Sequence, residues 1–292
     1  MARNLKLKRY NIYDVIIIAI LVILTIITLY PFIFTIAGSF SNGIQYDFGG
    51  VWLIPRMPTL ANYQVVLSDS RFYRSLLRTV AVTVIGSLVA LIFTSCVAYG
   101  MSHPKLKFRN FFWKFYLVTM FFSGGMIPSY LLMKTIGLYD TFWVYIIPSM
   151  FSVYNTIIIS NFFKSLDAGL RESACIDGAG EFRIWFSIYM PLSKPVLATV
   201  LLWLAVGKWN GFMSTLLYTD TTSTDLWLLP FYMMRIVKFT DVPEVAPELV
   251  NEVSGKTIEY ASIIVSSLPI LLFYPFIARF FSKGIMVGSV KG

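Results

Sequence analysis

Residues Phe162 to Pro191 read FFKSLDAGLRESACIDGAGEFRIWFSIYMP, and this stretch decides how the chain is organised. Ser165 or Asp167 can cap a short helix, because either side-chain oxygen can accept from an orphan amide of a first turn. Leu166, Leu170 and Ala174 then fall at i, i+4 and i+8, one apolar seam along that helix. Ile176-Asp177-Gly178-Ala179-Gly180 interrupts it with turn chemistry, and Gly178 is free to take positive φ. A second helix follows, with Phe182, Trp185, Phe186 and Tyr189 on one side, and runs into Pro191. The pattern is a helix-turn-helix elbow, a rigid knob between two apolar runs.

Outward from the elbow, the chain is built of such runs. A membrane-spanning helix needs about 20 mostly apolar residues to cross about 30 Å of hydrocarbon. Six stretches qualify: 15–37, 76–99, 111–133, 141–160, 191–211 and 261–282. The sequence therefore predicts an all-α integral membrane protein. It has a basic N-terminus (1–14), a six-span domain (15–282) and a short tail (283–292). The elbow loop is 161–190, and the longest loop is 212–260. Gly124, Gly125 and Pro128 disturb the third span and Pro148 the fourth, which membranes tolerate where protein or a water-lined cavity satisfies the freed backbone groups. The first run follows Arg3, Lys6, Lys8 and Arg9 like a signal peptide, but its apolar core exceeds an h-region of about 7–15 residues, so it reads as an uncleaved span.

Composition agrees. Of 292 residues, 57% are hydrophobic and 13% charged, about half the charge a soluble domain carries. Mean hydropathy is +0.71. The net charge of +9 fits basic residues retained on the cytoplasmic side better than nucleic-acid binding. His103, Lys105, Lys107 and Arg109 fill the second loop, and Arg279, Lys283 and Lys291 the tail. Loop 212–260 holds seven acids against three bases. Positive-inside bias puts both termini and the elbow in the cytoplasm and 212–260 outside. Arg71, Arg74 and Arg78 run against that bias without reversing it.

Several conspicuous residues carry little chemistry. Ser254-Gly255-Lys256-Thr257 resembles the end of a Walker A loop, but Val250 stands where its first glycine belongs. A nucleotide must therefore be handled by another chain. His103 is the only histidine, and Cys96 and Cys175 match no metal-ligand spacing, so no metal site is expected. Lys208 lies near an end of the fifth span and reads either as a functional intramembrane charge or as a snorkelling side chain. The six spans contain no Asp or Glu, which tells against the alternative of a self-contained ion-coupled secondary transporter. A membrane enzyme would need a nucleophile-base or metal constellation, and the sequence supplies none.

The elbow resembles the "EAA" loop of permease subunits of binding-protein-dependent ABC importers, whose pattern is E-A-A, three residues, Gly, nine residues, I-x-L-P. Here Glu172-Ser173-Ala174 is followed by three residues, Gly178, nine residues and Ile188-Tyr189-Met190-Pro191. Ser173 and Met190 depart from the pattern by small changes of volume. The Ile-Asp-Gly-Ala form is similar to the carbohydrate-uptake, maltose-permease-like branch. Trp209-Asn210 with Phe212 and the terminal Gly288-Ser289-Val290-Lys291-Gly292 agree. Phe121–Asp140 (FFSGGMIPSYLLMKTIGLYD) looks like lipoprotein-dependent permeases for oligosaccharides and polysaccharides.

The resemblance implies a type I importer permease of the bacterial cytoplasmic membrane, not an enzyme. Its partners would be a second homologous permease, a pair of ABC ATPase subunits, an external sugar-binding protein or lipoprotein, a carbohydrate substrate and lipid, with no nucleic acid. ATP and Mg would be bound by the ATPases, and this chain would bind no cofactor. Glu172, Ser173, Ala174, Asp177, Gly178, Ala179 and Pro191 would couple the spans to the ATPase. Tyr154, Asn155, Trp209 and Asn210 offer polar-aromatic surfaces suited to a sugar pathway. The sugar and the host's envelope type stay open.

Overall fold

The structure, a computed structural model, describes residues 11–50, 53–220, 222, 224–238 and 243–288, with side chains up to 272. Arg3, Lys6, Lys8, Arg9, Asp241 and the terminal 289–292 lie outside the described residues. No strand occurs among the described residues. The chain divides into two compact units, residues 1–69 with 236–265, and residues 70–235 with 266–292.

The first unit begins with α1 (Ile12–Ser39). Asn11 caps it with a reciprocal box, its amide donating to Asp14 at 3.1 Å while its side chain accepts from the first turn. The apolar side chains of α1 are exposed nearly all round, as lipid requires of a spanning helix. Thr25, Thr28 and Thr35 turn their hydroxyls back onto carbonyls four residues earlier, so those three hydroxyls need no outside partner in hydrocarbon. The short helices α2 (Gly43–Gly49) and α3 (Ala61–Ser68) follow. Buried Asn62 holds this unit together by donating to the Ser39 and Ser41 carbonyls and accepting from Thr257.

In the second unit, α4 (Ser70–Ser102) is the spine. Gly86, Ala90, Thr94, Ser95 and Ala98 form its buried side, and these small residues let other helices approach closely. Three expected spans fall on bent pairs. α5 (Arg109–Phe121) and α6 (Met126–Thr135) meet at 109° across Gly125, whose φ of +88° only glycine adopts readily. The 3₁₀ segment Phe142–Ser149 meets α7 (Val153–Ser165) at 51°. The short helix α8 (Ala168–Ile176) comes next. Residues 181–192 comprise α9 (Glu181–Ile184), a π segment (Trp185–Tyr189) and α10 (Met190–Leu192). They meet α11 (Lys194–Trp209) at 86°. Among the described residues three helices are long and apolar enough to cross a membrane, or up to six if each bent pair is one span.

Residues 212–260, read from sequence as one loop, contain α12 (Phe212–Tyr218) and α13 (Leu229–Val237), and α14 (Gly255–Gly288) begins within them. Trp227, Leu228, Leu229, Phe231 and Tyr232 are among the most deeply buried residues of the chain. The apolar run Leu226 to Met234 was the available signal, too short to span and therefore folded against protein. The Leu229 amide donates to buried Thr79 of α4 at 2.7 Å, which pins it there.

Candidate functional site

The elbow is built as its residues dictate. Asp167, rather than Ser165, caps α8, its carboxylate accepting from the Gly169 amide at 2.8 Å. At the other end the chain turns through a Schellman motif. The Gly178 amide donates to the Cys175 carbonyl at 3.1 Å and the Ala179 amide to the Ala174 carbonyl at 2.9 Å. Gly178 carries φ +79°, so the turn needs a residue free of a Cβ. Ala174 and Ala179 supply the accompanying apolar contact, since both join one core.

That core also contains Leu91, Tyr99, Phe163, Ile184, Trp185 and Tyr189. The Tyr99 and Tyr189 rings meet edge to face with centroids 4.9 Å apart, and Phe163 packs on Tyr189 at 5.4 Å. Phe182, Trp185, Phe186 and Tyr189 do not share one side, as the spacing suggested. The π segment widens the turn to an i→i+5 pattern and shifts the faces. Trp185 and Tyr189 point inward, while Phe182 and Phe186 are 71% and 59% exposed.

The motif residues divide the same way. Ala174 is buried inside this chain, where its small size serves the elbow's own packing. Glu172, Ser173, Asp177 and Pro191 are exposed, and Ala179 is half-buried. Ile176, between them, is 86% exposed. Glu172 makes no hydrogen bond or ion pair with the described residues. The outer surface of the elbow thus sets the carboxylates of Glu172 and Asp177 beside exposed apolar side chains.

A network that spacing did not reveal braces the elbow. Arg171 on α8 pairs with Glu181 at the head of α9, tying the two arms across the turn. Tyr99 of α4 donates to the same carboxylate, and His103 Nε2 lies 4.0 Å from it. The Arg171 guanidinium, followed in weight by other hydrogen bonds and partly opposed by burial, holds the Glu181 carboxyl below its usual value. The Glu181 carboxylate raises Arg171 in turn. Burial, and then the Arg171 charge, push His103 below the usual imidazole value. A ten-residue separation across a turn has no periodic signature, so this pairing needed the folded elbow.

Away from the elbow, the second unit has a half-open cavity of about 350 Å³. Val82, Tyr145, Ser149, Trp203, Lys208 and Tyr218 contribute to its walls. Lys208 Nζ donates to the Tyr145 carbonyl and the Ser149 hydroxyl, so the side chain turns inward instead of snorkelling. None of the four residues suggested for a sugar pathway lines this cavity. Tyr154 is exposed with its ring 6.1 Å from that of Trp203, Asn155 and Trp209 are buried, and Asn210 turns back onto the Val206 carbonyl at 2.9 Å. Their neighbours Trp203 and Lys208 line the cavity instead.

No group of three or more His, Cys, Asp or Glu able to hold a metal occurs among the described residues. Ser254 and Thr257, of the Walker-like run, exchange hydrogen bonds that cap α14, and Lys256 pairs with Glu259 at 3.0 Å.

Comparison with known proteins agrees with this architecture. A family described as "binding-protein-dependent transport system inner membrane component" matches residues 1–287. Protein LplC of Bacillus subtilis is 38% identical over 287 residues, covering 98% of this chain and 97% of that protein. The polygalacturonan/rhamnogalacturonan transport system permease YtcP of the same organism is 37% identical, over 96% of this chain and 99% of that protein. A chain in the crystal structure of a bacterial ABC transporter that imports the acidic polysaccharide alginate superposes with TM-score 0.86. It is 32% identical, over 93% of this chain and 99% of that one. A second alginate-transporter chain, from a complex with a pentasaccharide-bound periplasmic protein, shares the fold at TM-score 0.58 and 16% identity.

Proposed function

This chain belongs to the family of binding-protein-dependent transport system inner membrane components, and from that premise we propose that it is the carbohydrate-translocating permease subunit of an ATP-driven importer. The observation that carries the reading is the elbow. Its motif spacing coincides with a braced helix-turn-helix whose outer surface offers Glu172, Ile176 and Phe182 to solvent. An exposed apolar patch beside an unpaired carboxylate suits a helix-in-groove contact with a partner.

In this reading the elbow docks on one of two ATPase subunits, which bind ATP and Mg, and a second permease completes the pathway. Both termini and the elbow face the cytoplasm, and residues 212–260 face an external binding protein. Residue by residue, Glu172, Ser173 and Asp177 present polar contacts to the ATPase. Ala174, Gly178 and Ala179 fix the angle of the elbow, and Pro191 marks where its second arm turns toward α11. Carbohydrate as substrate is supported by the transport named for YtcP and for the alginate transporter.

Reconstitution tests it. The chain alone in liposomes should neither take up sugar nor hydrolyse ATP. Uptake should appear when the second permease, the ATPase pair and the binding protein are added. Uptake by the chain alone, driven by an ion gradient, would replace this reading with a secondary transporter.

A further inference from the structure

Lys208 presents an electrostatic problem that the fold leaves unsolved. It lies on α11 facing the cavity, and its stem packs so closely on α4 that a Cβ built on Gly86 would sit 3.2 Å from its Cε. Gly86 thus makes the room that lets the cation turn inward. Its ammonium has three donors, of which two are taken by neutral oxygens, the Tyr145 carbonyl and the Ser149 hydroxyl. Among the described residues no carboxylate pairs with it. The six apolar runs carry no Asp or Glu either. A charge at membrane depth without a counter-ion is costly to keep and is characteristic of a ligand pathway.

A second cation stands on α4, the helix that carries Gly86. Arg78, Val82 and Gly86 follow at four-residue intervals, so they lie on one side of α4. Val82 lines the cavity, Gly86 touches Lys208, and Arg78 comes two turns, roughly 12 Å, before Gly86. Arg78 Nη1 is buried with no hydrogen-bond partner. It lies within electrostatic reach of the Tyr145 hydroxyl, as does Asp140, whose carboxylate accepts from the Asp220 amide at 3.0 Å. Trp203 and Tyr218 complete the walls with aromatic surface against which a pyranose face can stack.

We propose that this cavity is a subsite for carboxylate-bearing sugars, with the third Lys208 donor binding a uronate carboxylate and Arg78 binding the next charge along the chain. The inference rests on the importer reading and specifies its substrate class as acidic rather than neutral oligosaccharide. Lys208 acts as a selective countercharge because a neutral sugar leaves it uncompensated, whereas a uronate forms a charge-assisted hydrogen bond with it.

The test uses the full importer in proteoliposomes, with an α-1,4-linked trigalacturonate and its carboxyl-reduced neutral counterpart as probes. The parent should import the uronate with ATP and the neutral trisaccharide at least about tenfold less well. Lys208→Met should lower uronate uptake by about tenfold or more, through KM, and Lys208→Arg should restore most of it. Assembly of each variant is read by co-purification. If Lys208→Met fails to assemble, the parent's uronate-to-neutral ratio and the Lys208→Arg rescue decide. ATP-driven import of the neutral sugar as good as that of the uronate, or full uronate uptake by an assembled Lys208→Met complex, overturns the subsite and leaves the importer reading intact. No ATP-dependent uptake of either probe, with or without the partners, overturns both.

Discussion

The hydroxyl of Tyr99, at the end of α4, donates to the carboxylate of Glu181, at the start of the elbow's second arm. Because Glu181 also holds Arg171 on the first arm, a single carboxylate joins the longest helix of the second unit to both halves of the elbow. In the proposed importer, a push on the elbow would reach α4 through this short polar link, which rests on the Tyr99–Tyr189–Phe163 ring cluster.

Loosening that link should uncouple rather than unfold. Tyr99→Phe keeps the ring packing and removes one charge-assisted hydrogen bond, worth about 1 kcal/mol after allowance for a carboxylate that is half exposed. Glu181→Gln removes the ion pair as well. Both complexes should assemble, and the number of sugars imported per ATP should fall a few-fold, more for Glu181→Gln. Parental stoichiometry in both would show that the elbow moves α4 by packing alone.

The same group sets an acid limit. Glu181 is held below its usual carboxyl value, so its stabilising contribution is complete above about pH 4.3 and is lost as pH falls through the depressed folded value. His103 is held below the usual imidazole value, so the unfolded chain binds that proton first and stability declines as pH falls below about 6.5. Melting of the detergent-solubilised chain should therefore drop modestly as pH falls below about 6.5 and again as it falls below about 4.3. His103→Gln should remove the first step and leave the second. An unchanged first step in His103→Gln would assign it to another group.

Substitutions on the two sides of the elbow should fail differently. Ala174→Trp overpacks a buried position, and Gly178→Val forces a β-branched residue to φ +79°, each costing about 1–3 kcal/mol within this chain. Ile176→Asp alters an exposed position, with an expected stability change within about 0.5 kcal/mol. The first two should lower the melting temperature of the isolated chain. The third should leave it unchanged yet reduce ATPase co-purification about tenfold. Normal ATPase recovery with Ile176→Asp would move the docking surface elsewhere.

Orientation is open to chemical labelling. In a background with Cys96→Ser and Cys175→Ser, an impermeant thiol reagent should label Thr222→Cys in intact cells and should reach Lys105→Cys only after lysis. Both positions are exposed, so accessibility within the chain does not limit the reaction. The opposite pattern would invert the map.

Local chemistry made the elbow legible from sequence. A capping oxygen at Ser165 or Asp167 and Gly178 at positive φ are decided within a few residues. The expected seam of Leu166, Leu170 and Ala174 did not form, since Leu166 lies outside α8 and Leu170 is exposed. The all-helical membrane class was legible too, because six apolar runs with few charges leave the backbone no other way to satisfy itself in lipid. Tertiary structure decided what depends on which elements meet. Periodicity could not show that the π segment would split Phe182 and Phe186 from Trp185 and Tyr189, nor that Ala174 would face its own chain. Composition could not show that Leu226 to Met234 would fold inward against α4. Lys208 is the clearest instance. Its position in the chain fitted snorkelling and a buried charge alike, and only Gly86 on one helix with Tyr145 and Ser149 on another gave the ammonium a place inside. A charged side chain goes where oxygens from distant segments converge, and that convergence is a property of packing rather than of spacing.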